Sequence, residues 1–158
     1  MAPALVWFRR DLRLADNPAL QAALDAGYTP IPVYVQAPHE DAPWLPGGAS
    51  QAWLHHSLLA LDADLQARGS RLVIREGGSL EQLDALVDAT GAEAVFWNRL
   101  YEPAAIARDT RVKEHLRRRG LRAESGNGAL LIEPWTISTG AGAPYRVFTP
   151  FWKNAMTR

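Results

Sequence analysis

The chain has 158 residues, the size of one domain and long enough to bury a core without staples. Hydrophobic residues make up 47% and charged residues 22%, which argues against a disordered chain; the absence of cysteine excludes disulfides, thiolate metal sites, Fe–S clusters and a cysteine nucleophile. Seventeen basic and 17 acidic residues cancel, so the chain lacks the global basic field of a free-standing nucleic-acid binder.

Ala4–Phe8 is a short apolar run ending in charge and predicts a buried strand. Asn17 at the cap and Pro18 at the first helical position predict a helix with Leu20, Ala23 and Leu24 on its stripe, stopped by Gly27. Tyr28–Val35 is the second strand; Pro30 and Pro32 prevent its first half from pairing fully on both sides. Ala37–Gly48, with three prolines and two glycines, is a loop. Ser50 is expected to cap a second helix with Leu54, Leu58, Leu61 and Leu65 on one stripe, ending at Gly69. A third strand follows at Arg71–Arg75, then a helix carrying Leu80, Leu83 and Val87 that ends near Gly91. Ala94–Asn98 is the fourth strand, Pro103–Arg119 the fourth helix stopped by Gly120, and Leu121–Glu124 a short fifth strand.

This alternation predicts an α/β fold: a Rossmann-like, doubly wound, five-stranded parallel sheet in the order 3-2-1-4-5, with helices on both faces. Gly126–Arg158 differs. It is rich in glycine and proline, shows no clear helix, and carries enough apolar and aromatic residues to need a packing surface. No apolar run approaches the roughly 18 residues of a membrane span. The N-terminal apolar run is too short for a signal peptide, so the expectation is a soluble cytoplasmic protein.

In open α/β sheets, ligands sit beyond the carboxyl ends of the strands where strand order reverses. In this order, that point joins Phe8-Arg9-Arg10-Asp11 after the first strand to Asn98-Arg99-Leu100-Tyr101-Glu102 after the fourth. No G-x-G-x-x-G follows the first strand and no P-loop exists, which argues against a nicotinamide dehydrogenase and excludes a P-loop nucleotidase. Gly77-Gly78-Ser79 reads as a tight turn with an N-cap ahead of a phosphate cradle. His55 and His56 are adjacent on a helix, point about 100° apart and cannot chelate one metal together. Arg117-Arg118-Arg119 complements the negative end of the fourth helix. Arg9, Arg10, Asp11 and Arg13 fit a structural ion network and a ligand site equally well. The six tryptophans read mostly as core or interface, and spacing defends neither a Ser–His–Asp triad nor a carboxylate pair.

Five stretches in order resemble the photolyase/cryptochrome family: Val6–Leu20, Ser50–Leu58, Gly69–Leu72 with Arg75–Gly77, Trp97–Pro103 with Arg108-Asp109, and Pro144–Phe151. The resemblance covers nearly the whole chain. It implies that residues 1–125 form an antenna-chromophore α/β domain. Residues 126–158 would be an irregular interdomain segment leading to a helical FAD domain that this chain does not contain. In that family the antenna is methenyltetrahydrofolate, a flavin or an 8-hydroxy-deazaflavin. It passes excitation energy to reduced FAD, which donates an electron to split pyrimidine dimers in damaged DNA. The resemblance places Arg10, Asn98 and Glu102 at the antenna and assigns no catalytic residue and no metal to this chain. The deazaflavin pattern has an aspartate where Leu100 stands. Leucine cannot accept the ring hydrogen bonds, so folate, flavin or an empty site is favoured. The implied function is the light-harvesting part of a deoxyribodipyrimidine photolyase, inactive as a lyase without the FAD domain. The alternatives are a stand-alone flavin- or nucleotide-binding domain and a cryptochrome-type photoreceptor fragment.

Overall fold

Side-chain alternation in the first strand sets the layers: Leu5 and Trp7 enter one core cluster, while Ala4, Val6 and Phe8 enter the other. The structure is a computed structural model that describes residues 1–40 and 45–157. Its elements are β1 (Pro3–Phe8), α1 (Pro18–Asp25), β2 (Thr29–Gln36), α2 (Gly48–Gln66), β3 (Val73–Glu76), α3 (Ser79–Thr90), β4 (Ala94–Asn98), α4 (Pro103–Arg118), β5 (Arg122–Gly126) and α5 (Phe148–Ala155). The five strands are parallel, in the order β3-β2-β1-β4-β5. On one face α3 and α4 supply Leu83, Leu86, Val87, Val112 and Leu116. On the other, α1 and α2 supply Ala19, Ala23, Leu61 and Leu65.

Local chemistry explains the element ends. Asn17 caps α1 by accepting the Leu20 N–H at 3.2 Å. In β2, Thr29–Tyr34 pair with β1 and Val33–Gln36 pair with β3, so only Val33 and Tyr34 have a neighbour on both sides. Pro30 and Pro32, which lack an N–H, therefore sit in the half of the strand that has one neighbour. The second helix starts earlier than its sequence suggests: Gly47 is the N-cap, and Ser50 lies within the first turn. Only the lower part of the leucine stripe, Leu61 and Leu65, is fully buried in the core.

The chain divides into two units, Met1–Gly128 and Ala129–Arg158. The second is not free of helix, which corrects the sequence reading of an irregular tail: α5 spans Phe148–Ala155. Pro150 is its third residue, inside the first turn, where the missing N–H breaks no intrahelical bond. Within this unit Phe148 stacks on Trp152 at 5.9 Å, and Asn154 donates to the Tyr145 hydroxyl at 2.7 Å.

Candidate functional site

Asn98, the last residue of β4, is wedged behind the loop that follows β1. Its two amide hydrogens go to Asp11 Oδ2 at 2.6 Å and Asn17 Oδ1 at 2.9 Å. Its Oδ1 accepts the Ala19 N–H at 3.1 Å, and the residue is 3% exposed. Asn98 therefore has no hydrogen left to donate. It joins β4 to the start of α1 and fixes the β1–α1 loop. Gly128 makes room for it, since a Cβ there would stand 2.6 Å from Asn98 Cγ.

The arginines of that loop divide between structure and surface. Arg9 is buried, makes a two-pronged ion pair with Asp109 on α4 at 2.7 and 2.8 Å, and donates to the Asn98 carbonyl. Its guanidinium lies 4.5 Å from the Trp7 ring centroid. Burial pushes the Arg9 guanidinium below its ordinary value against the pull of Asp109, yet an arginine so paired stays charged. Arg10 points the other way and pairs with Glu102, the N-cap residue of α4; both side chains are about half exposed. Partial burial pushes the Glu102 carboxyl up. Backbone hydrogen bonding at 102 and the Arg10 guanidinium outweigh this and hold it below the usual glutamate range. Arg13 donates to the Gly128 carbonyl at 2.9 Å and lies 3.9 Å from the Asp16 carboxylate.

A cleft of about 620 Å³ opens at the carboxyl ends of β1 and β2. Arg9, Arg10, Leu12 and Arg13 line it from the β1 loop; Leu100 and Arg108 line it from the β4 side; Tyr34, Val35 and Gln36 end β2. The wall beyond them is the first half of α2, with Ser50, Gln51, Trp53, Leu54 and Ser57, together with Leu45 and Pro46. The upper end of the leucine stripe thus leaves the sheet and faces the cleft. Of the three residues placed at the antenna by resemblance, Arg10 lines the cleft. Glu102 touches it only through Arg10, and Asn98 stands behind the loop and is not among the lining residues. Trp53, Tyr34 and Arg108 also line it, outside the two loops that the sequence pointed to, and Leu54, expected on the apolar stripe of α2, faces it instead of the core; a tryptophan beside that stripe is a legible signal.

The cleft's inner end is polar. Gly78, the N-cap of α3, has no side chain to offer, and the Glu40 carboxylate caps the helix instead. It accepts the Ser79 N–H at 2.6 Å and the Ser79 hydroxyl at 2.5 Å. Glu40 also lies 3.5 Å from Arg108 Nη1. Gly77-Gly78-Ser79 therefore opens a helix that this chain caps itself. The remaining singled-out charges are structural: Arg119 bridges α4 to Asp84 and Asp88 of α3, and His115 reaches Asp84 at 2.8 Å. His55 and His56 are both exposed on α2, with ring centroids 5.5 Å apart. Among the described residues, no helix is long and apolar enough to cross a membrane.

Residues 4–158 match the DNA photolyase family model. The chain superposes on a bacterial class III photolyase from Agrobacterium tumefaciens with a TM-score of 0.90 and 46% identity, covering 99% of this chain and 32% of that one. It is 41% identical to Cryptochrome-1 of Arabidopsis thaliana over 98% of this chain and 23% of the relative. It also superposes, at a TM-score of 0.86 and 26% identity, on an archaeal photolyase from Sulfolobus tokodaii, covering 99% of this chain and 35% of that one. That photolyase is described with two FAD molecules and a novel light-harvesting cofactor. The chain spans about a third or less of the length of these relatives. It belongs to the DNA photolyase family.

Proposed function

We propose that the first unit, Met1–Gly128, is the light-harvesting domain of a photolyase and binds a flat antenna chromophore in the cleft above β1 and β2. The observation that carries this reading is the cleft itself. Its volume falls within the roughly 300–1,000 Å³ of small-molecule sites, and it lies at the strand ends where ligands bind in this architecture. Trp53, Leu54 and Tyr34 offer ring and aliphatic surface to a planar group, and Arg10, held by Glu102, offers a guanidinium at the rim. Leu100 lines the cleft where a deazaflavin would meet a carboxylate, which favours a folate or a flavin. Asn98 acts as a positioning residue that holds the Arg10 loop in place.

Such a chromophore, when bound, would absorb light and pass the excitation to FAD in a helical domain reached through residues 129–158. Splitting of pyrimidine dimers in DNA would belong to that larger protein, in the cytoplasm, and this chain alone would perform no repair. The test is an absorption spectrum of dark-purified protein before and after adding methenyltetrahydrofolate, a flavin and a deazaflavin. The reading expects a bound, shifted band with folate or flavin that Arg10→Ala weakens. Spectra identical to the free compounds would refute binding by this chain. The likeness to a plant cryptochrome supports a second reading, a photoreceptor that signals and does not repair. Dimer repair by the chain joined to its FAD domain would decide between the two.

A further inference from the structure

We propose that the inner end of the cleft is an oxyanion subsite, where Arg108 takes a carboxylate or phosphate carried by the ligand. This rests on the reading of the cleft as a ligand site and names the chemistry of the ligand's inserted end.

The first observation is one guanidinium nitrogen without an acceptor. Arg108 is 8% exposed and lines the cleft, and its Nη2 is buried with no hydrogen-bond partner. Its Nε is bound to Asp109 at 3.1 Å, and its Nη1 has only the longer Glu40 contact at 3.5 Å. A buried guanidinium nitrogen left without an acceptor is costly and calls for one. The second observation is the charge of the lining: four arginines (9, 10, 13 and 108) and no carboxylate line the cleft among the described residues. The third is the start of α3 beside Arg108. Its positive end is already occupied by a carboxylate, that of Glu40. Oxyanion binding at this point is therefore chemistry the chain already performs on itself.

Charge counting sets the direction of the effects. Arg9 and Arg108 are balanced by Asp109 and Glu40, so the inner end is neutral. A ligand oxyanion gains the free Nη2 but meets Glu40. Removing the Glu40 charge leaves the subsite with one net positive charge and should tighten binding, whereas removing the Arg108 charge should loosen it.

The test compares ligand pairs on the 158-residue chain: FMN against riboflavin, and methenyltetrahydrofolate against its diamide, in which both glutamate carboxylates are neutral. The first member of at least one pair should bind about tenfold or more tighter, as a charge-assisted hydrogen bond implies. Which pair shows the gap tells phosphate from carboxylate. Arg108→Gln should close the gap and Arg108→Lys should partly restore it. Glu40→Gln should widen it, a change of opposite sign that a folding defect cannot mimic. Equal affinity within both pairs, with binding retained, would overturn the subsite and leave the cleft reading intact. If none of the four compounds binds, inorganic phosphate alone decides: saturable amide shifts at Ser79 would uphold the subsite while the chromophore reading fails, and their absence would sink both.

Discussion

Replacing Asn98 by alanine should cost more stability than any loss of contact with a ligand would suggest. The side chain makes three protein hydrogen bonds, to Asp11 at 2.6 Å, Asn17 at 2.9 Å and from Ala19 at 3.1 Å. Two neutral bonds at about 1 kcal/mol each and one to a carboxylate at about 1.5–3 kcal/mol sum to about 4 kcal/mol. That is a large part of the 5–15 kcal/mol typical of a domain, and corresponds to a Tm lower by about 8–16 °C. Equilibrium unfolding in guanidinium chloride, followed by circular dichroism, should show the lower midpoint with an unchanged slope. Asn98→Asp keeps the shape but sets a second carboxylate against Asp11. That variant should recover stability as pH falls, because a shared proton replaces the lost hydrogen bond. A loss below about 1 kcal/mol in Asn98→Ala, against the 1 kcal/mol expected of a single neutral bond, would refute the bracing role.

Three further outcomes follow from the same geometry. Gly128→Ala puts a Cβ 2.6 Å from Asn98 Cγ and should destabilise by about 1–3 kcal/mol, the range for overpacking, measured by the same unfolding curve. Burial pushes the Asp84 carboxyl up, but hydrogen bonds from Arg119 and His115 more than reverse this and hold it below the usual aspartate range. Its contribution should be present above about pH 4 and lost as pH falls through the depressed value; Asp84→Asn should flatten that acid limb of Tm against pH. On α5 and its cap, Val147, Phe148 and Trp152 are exposed, at 62%, 69% and 40%. The isolated chain should self-associate with rising concentration in sedimentation velocity, and Phe148→Ser with Trp152→Ser should return it to a monomer.

Much of the fold is written locally. The period-2 run of β1, the Asn17-Pro18 helix start and the single-sided proline half of β2 all follow from the chemistry of adjacent residues. The short helix α5 was hidden because Pro150 reads as a breaker until its place in the first turn is known. The site is less legible because its contacts are distant in sequence. Arg9 meets Asp109 across 100 positions, and Glu40 meets Ser79 across 39. The Arg108-Asp109 pair stands in a family motif, but only the packing of α4 against the β1 loop separates its two roles: Asp109 neutralises Arg9, and Arg108 lines the cleft. Asn98 shows the converse. Its place at the end of β4 points to a ligand contact, while its hydrogen bonds hold the β1–α1 loop. The α2 stripe carries a legible signal: Leu54, with Trp53 beside it, extends past the residues that the core covers. The α3–α4 clasp was also readable, since Asp84 and Asp88, like His115 and Arg119, sit four apart on their helices.

The proposed function turns on chromophore binding in the cleft. The most direct test is amide chemical-shift mapping of the 158-residue chain while methenyltetrahydrofolate or FMN is titrated in the dark. Binding in the cleft should give saturable shifts concentrated at Arg10, Tyr34, Gln51, Trp53 and Leu100, with little change along β5. Shifts centred elsewhere on the sheet, or none at saturating ligand, would contradict it.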